Sequence, residues 1–185
     1  MKKKLSACLG SLIVALALTV FPASTAIAAP PPYCGITWGS LTKSNVTMSA
    51  APVVNVRSGQ HGCFDRLVVD IAGKVAGYHA TYTGTVRHDG SGQAVPLRGG
   101  AYIEFVVRAP AYDSAGQLTY RPANRNELVN VHGYQTLRQV AWAGSFEGQT
   151  TFGVGVRARL PFRVFTLDGP GAHSRVVIDV AHFWH

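Results

Sequence analysis

Two short phrases in this chain place acid and base side by side. Residues 66–71 read RLVVDI and residues 175–180 read RVVIDV. Each begins with Arg and carries Asp at its fifth position. A pair of carboxylates can do general acid–base work on a glycosidic bond, and Asp70 with Asp179 are candidates for such a pair. Strand alternation puts Arg66, Val68 and Asp70 on one face, and Leu67, Val69 and Ile71 on the other. The second phrase divides the same way, with Val176, Ile178 and Val180 together. A same-face Arg–Asp set more often forms a cross-strand ion pair than a catalytic couple. The two phrases therefore read as β-strands with equivalent roles, in one sheet or in two similar halves.

Other chemical signals are weaker. Residues 153–158 (GVGVRA) match the glycine pattern of a dinucleotide loop. That loop needs a strand before it and a helix after it. Here the glycines sit inside an alternating run that meets Pro161, so close packing or a strand bend is the expected role. His182 and His185 flank Phe183 and Trp184, and read as a surface histidine with an aromatic end-plug. His61, His79 and His88 fall in no zinc-ligand spacing. The nucleophile-elbow pattern G-x-S-x-G is absent. No cofactor and no metal site is expected. Tyr78, Tyr82, Tyr102, Tyr112, Tyr120 and Trp142 are rings that could stack on sugars, although most aromatic residues of a β-sandwich belong to its core.

The elements that must hold these residues are strands. Residues 53–57, 64–71, 77–87, 101–109, 136–143, 146–159, 162–167 and 174–183 alternate or carry β-branched runs. Turn residues separate them at 58–62, 89–92 (DGSG), 113–116 and 168–171 (DGPG). Residues 117–135 are the least regular, with room for one helical turn within 122–135. Residues 35–52 read as a tether or loosely packed arm. Short strands with frequent turn signals predict an all-β fold, a single sandwich-like domain of antiparallel strands.

The first 28 residues read as a signal peptide. Lys2, Lys3 and Lys4 precede an apolar run over 9–21, and residues 26–28 (AIA) offer a cleavage site. That run is shorter than the roughly 20 residues a transmembrane span needs. Cys8 precedes the apolar run, so it does not serve as a lipobox cysteine. The expected organisation is a signal peptide over 1–28, a Pro/Ser/Thr/Gly-rich arm over 29–52 and a β domain over 53–185. Beyond residue 28, fourteen Lys and Arg stand against nine Asp and Glu, and twelve of the fourteen are Arg. They are scattered singly, which argues against a nucleic-acid stripe. Mild cationic charge suits an anionic envelope polymer, and suits solubility equally. Cys34 and Cys63 are an even pair in an exported chain and read as a disulfide; two independent thiols are the alternative.

Residues 59–69 (GQHGCFDRLVV) resemble the opening signature of actinobacterial AMIN-like domains. Further segments follow in the same order: Gly77-Tyr78 with Tyr82, residues 89–92, residues 95–99 (VPLRG), residues 146–155 (FEGQTTFGVG), residues 161–165 (PFRVF) and residues 175–182 (RVVIDVAH). The resemblance spans about residues 53–182. It implies an exported, non-catalytic β domain, because the AMIN domains that give the group its name localise wall enzymes by binding envelope polymers such as peptidoglycan. The partner implied is a wall glycan, with an envelope protein as the alternative and an unrecognised secreted hydrolase as a third possibility. His61, Asp65, Arg66, Tyr78, Tyr82 and Glu147 are the candidate ligand-binding residues. His61, Asp65 and Glu147 are also the groups a hydrolase would use.

Overall fold

The structure is a computed structural model that describes residues 33–184. The expected signal peptide and His185 lie outside the described residues. Among the described residues the fold is all-β, with nine strands: β1 (Lys43–Asn45), β2 (Val53–Gln60), β3 (Phe64–Ile71), β4 (Tyr78–Thr83), β5 (Ala101–Val107), β6 (Leu137–Phe146), β7 (Gln149–Val156), β8 (Phe162–Asp168) and β9 (Ser174–Ala181). They form two antiparallel sheets. One has the order β1-β4-β5-β7-β6 and the other β2-β3-β9-β8. Among the described residues no helix is long and apolar enough to cross a membrane.

The core lies between the sheets. Leu67, Val69 and Ile71 of β3 are fully buried, as are Val176, Ile178 and Val180 of β9. They meet Ile103, Phe105, Phe152, Val154 and Val156 of the other sheet in one apolar cluster. Alternation along each strand therefore gives the correct inward face. The two doubled phrases are neighbours in a single sheet.

Several boundaries differ from the expectation, each for a local reason. β2 continues to Gln60, so the turn before β3 shrinks to residues 61–63. The run read as 146–159 is not one strand. Glu147 and Gly148 have φ of 48° and 75°, which makes a two-residue hairpin turn between β6 and β7. β4 stops at Thr83. Residues beyond it fold back over the outer face of the five-stranded sheet, where Val86 and Val95 pack on Ala141 and Ala143. Residues 117–135 hold no helix. Their backbone instead runs along β6, with Leu128 N–H donating to Val140 O at 2.8 Å and Trp142 N–H donating to Arg125 O at 2.7 Å.

The arm is more ordered than its composition suggests. Ile36 is buried, β1 adds to the edge of β4, and Phe162 N–H donates to Gly39 O at 3.1 Å. A Cβ at Gly77 would lie 2.2 Å from Asn45 O and 2.6 Å from Thr47 O. Only glycine lets the arm approach β4 this closely. The Cys34–Cys63 disulfide anchors the arm at Cys34, beside β3.

Candidate functional site

The outer face of β2-β3-β9-β8 gathers the chemistry. β3 and β9 pair so that Arg66 faces Asp179, Val68 faces Val177 and Asp70 faces Arg175. The two phrases thus lie antiparallel about a local two-fold axis between Val68 and Val177. β2 and β8 extend these pairs into three rows across the sheet. The first is Gly59, Arg66, Asp179 and Arg163. The second is Arg57, Val68, Val177 and Phe165. The third is Asn55, Asp70, Arg175 and Leu167.

The first row is closed. Arg66 donates from Nε to Asp179 Oδ1 at 2.6 Å and from Nη2 to Oδ2 at 2.9 Å. Arg163 Nε donates to Oδ2 at 2.9 Å. Two forked cations on one carboxylate leave an excess positive charge. Asp179 is fully buried beneath them. The bond to Asp179 holds the Arg66 guanidinium above its ordinary pKa, against the opposing effect of burial. Aromatic rings cover both guanidiniums. Arg163 lies 4.3 Å from the Trp38 ring centre and 5.0 Å from that of Phe165. Arg66 lies 5.2 Å from Phe64 and 5.4 Å from Phe165, within cation–π range. His61 stacks on Phe64 with centroids 4.6 Å apart.

The third row breaks the two-fold symmetry. Asp70 does not pair with Arg175 across from it. Arg57 takes it instead, with Nε to Oδ2 at 2.9 Å and Nη2 to Oδ1 at 3.0 Å, and Asn55 Nδ2 adds a bond at 3.1 Å. Between the rows lies a groove of about 230 Å³ whose lining includes Arg57, His61, Arg66, Arg175 and Leu167, with Val68 and Val177 beneath. Val68 and Val177 are buried, so the groove has an apolar floor and a cationic rim.

The candidate residues do not all converge there. His61 and Arg66 do. Asp65 points the other way, into the core, and is fully buried. Its Oδ2 accepts from Thr136 N–H at 2.6 Å and Leu137 N–H at 2.9 Å, and its Oδ1 lies 3.0 Å from His182 Nε2. This clamps the start of β6 to the opposite sheet. His182 is therefore no surface histidine: it is fully buried against Asp65. Tyr78 and Tyr82 lie on the core side of β4, where their hydroxyls bridge the sheets. Tyr78 Oη donates to Val164 O at 3.0 Å. Tyr82 Oη donates to Leu160 O at 2.8 Å and accepts from Leu160 N–H at 2.9 Å. Burial pushes the Tyr82 phenol up to about 12. Glu147 sits at the β6–β7 turn, beside Asp89 and Glu104 on the other sheet. His61 on the groove, Asp65 in the core and Glu147 at the β6–β7 turn thus lie apart and form no common acid–base site.

Arg57, Arg163, Trp38 and Phe165 join Arg66 and Arg175 of the two phrases on this face and were not singled out from sequence. For the two arginines the signal was present only in the register: strand parity puts Arg57 and Arg163 on the Arg66 side once the neighbours are known. The two glycines of the dinucleotide-like run have a packing role. A Cβ at Gly155 would lie 2.0 Å from Arg98 O, and one at Gly153 would lie 2.9 Å from Leu97 Cδ1.

A second groove, of about 310 Å³, borders the irregular segment and is lined by Leu118, Tyr120, Arg121, Pro122, Arg125 and Trp142 among others. No curated protein and no solved structure matches the chain. Residues 51–182, which carry both doubled phrases, the Asp65–His182 clamp and the arginine face, match the AMIN-like domain. That match spans most of the sequence, and the chain belongs to the AMIN-like domain family.

Proposed function

We propose that this protein is an exported, non-catalytic binding domain of the cell envelope, with peptidoglycan or another wall glycan as its ligand. The observation that carries the reading is the outer face of β2-β3-β9-β8. It sets guanidinium groups around a groove, with partly exposed aromatic rings on the neighbouring Arg163. Sugars are held by aromatic faces and forked polar donors, and such a face suits a polymer that bears both hydroxyl and anionic groups. Membership of the AMIN-like family favours envelope association. The Cys34–Cys63 bond suits an oxidising, extracytoplasmic compartment. A reading of the first 28 residues as a signal peptide agrees with both.

The test is co-sedimentation of the disulfide-bonded protein with purified sacculi, beside a control protein of equal net charge. Saturable enrichment over the control supports the reading. Equal pelleting of the two proteins removes it.

A protein-docking function is the second reading. It is favoured by the groove at Tyr120 and Trp142, which lies on the irregular segment. Connections carry recognition more often than the strands they join. Under this reading, sacculi would not enrich the protein, and substitution of Arg121 or Arg125 would weaken capture of an envelope protein.

A further inference from the structure

We infer that the groove bounded by Arg57, Arg66 and Arg175 is an oxyanion site, built to take a carboxylate or phosphate group carried by the envelope polymer. The inference rests on the reading of this face as the binding surface and names the chemistry it recognises.

The argument begins with Arg175. By register it should pair with Asp70, as Arg66 pairs with Asp179. Asp70 is already occupied by Arg57 and Asn55. Arg175 therefore makes no ion pair among the described residues. Its Nη2 donates to the backbone oxygen of Asp168 at 3.1 Å. Its Nε is buried and has no hydrogen-bond partner. The guanidinium is part-exposed, but a buried N–H left without an acceptor is costly, and each such atom in a native fold calls for an explanation. An anion in the groove supplies one.

Charge and shape agree. Arg57, Arg66 and Arg175 line the groove and Arg163 stands beside Arg66. Among the described residues, only Asp70 and Asp179 pair with any of these four cations. Every cation is Arg rather than Lys, and the guanidinium fork matches carboxylate and phosphate oxygens. The floor of Val68 and Val177 excludes water, which strengthens a charge-assisted bond. A volume of about 230 Å³ is below the range typical of whole drug-sized ligands. It suits a charged head group whose remaining chain runs out along the Phe165 and Trp38 rings.

The asymmetry has a testable consequence. Arg57→Gln releases Asp70, which then faces Arg175 in register and closes the site from within. Arg175→Gln removes the fork itself. The experiment titrates the 15N-labelled protein with inorganic phosphate, N-acetylmuramic acid and neutral N-acetylglucosamine, following the arginine Nε–H resonances. Phosphate or N-acetylmuramic acid should move the Arg175 Nε–H signal saturably, with Kd on the order of millimolar, while N-acetylglucosamine does not. Preference for phosphate assigns a phosphate-bearing polymer, and preference for N-acetylmuramic acid assigns a carboxylate-bearing one. Either single variant should weaken anion binding about tenfold or more while the remaining spectrum keeps its dispersion.

Absence of a saturable shift would overturn the inference. So would equal shifts at Arg175 and at Arg121, which lies outside the groove, or an equal response to the neutral sugar. Sacculi co-sedimentation separates this failure from failure of the wider reading. If sacculi hold the wild type and Arg175→Gln equally, the oxyanion site is wrong and envelope binding stands. If sacculi hold neither but phosphate still moves Arg175, the wall-glycan reading fails and the site stands.

Discussion

Asp70 stands opposite Arg175 in the β3–β9 ladder yet gives both carboxylate oxygens to Arg57 of β2. The equivalent pair at the other end, Arg66 with Asp179, is closed by two short bonds. A repeated sequence phrase has thus produced one structural ion pair and one cation with no acid of its own. The difference comes from a single neighbouring strand. β2 sets Asn55 opposite Asp70 with Arg57 one row over and within reach, and it sets only Gly59 opposite Arg66.

The two aspartates should differ in their effect on stability. Asp179→Ala leaves Arg66 and Arg163 without an acid at a fully buried position. The guanidiniums retain some contact with solvent, so the cost should be about 2–3 kcal/mol rather than the larger value of a fully buried pair. Asp70→Ala breaks a pair whose Arg57 side chain is 50% exposed, and should cost about 1 kcal/mol or less. Urea unfolding of both variants measures the contrast.

The Asp65–His182 clamp is structural on this account. Asp65→Ala orphans the Thr136 and Leu137 N–H groups and the buried imidazole. A loss of about 3 kcal/mol or more is expected from denaturant midpoints. Sacculi binding measured well below the midpoint should be unchanged. A selective loss of binding with normal stability would assign Asp65 to the ligand instead.

Tyr82 predicts an alkaline limit. Its phenol titrates near 12 in the fold, pushed up by burial, against an ordinary value of 10.0. Between those values the unfolded chain has lost the proton and the native chain has kept it. Stability is therefore complete below pH 10 and falls as pH rises toward 12. Tyr82→Phe should flatten part of that slope. It should also cost about 1–2 kcal/mol at pH 7, because Leu160 loses its hydroxyl partner. Thermal midpoints between pH 7 and 11 report both effects.

Reduction of Cys34–Cys63 should lower stability by about 3–4 kcal/mol in the chain-entropy account, for cysteines 29 positions apart. It should also loosen Trp38 from Arg163, because the bond anchors the start of the segment that carries Trp38. Cys34→Ser/Cys63→Ser with denaturant unfolding and Trp38-resolved NMR tests the two consequences together.

The fold was largely legible in the sequence, because alternation assigns each strand a buried side without knowledge of its neighbours. Leu67, Val69 and Ile71 needed only their own spacing. The site was less legible, because it depends on which strands lie side by side. Four arginines compete for two aspartates on this face; the register alone would give Asp70 to Arg175, and only the side-chain bonds show that Arg57 takes it. His182 could not be read as buried, since its partner Asp65 is 117 positions away. β1 escaped notice because Lys43, Ser44 and Asn45 carry no apolar alternation; Gly77 and the edge of β4 make it a strand. The Glu147–Gly148 turn lacks the usual Asn or Asp at its first position, so the break between the two strands falls at 147–148 rather than at the expected 144–145.

The most direct test compares two charge reversals of equal net charge, Arg175→Glu in the groove and Arg121→Glu at the irregular segment. Each is titrated against sacculi at fixed ionic strength. The account predicts a loss of about tenfold or more for Arg175→Glu and little change for Arg121→Glu. Equal losses would reduce the interaction to bulk charge, and a dominant loss at Arg121 would move the binding surface to the other groove.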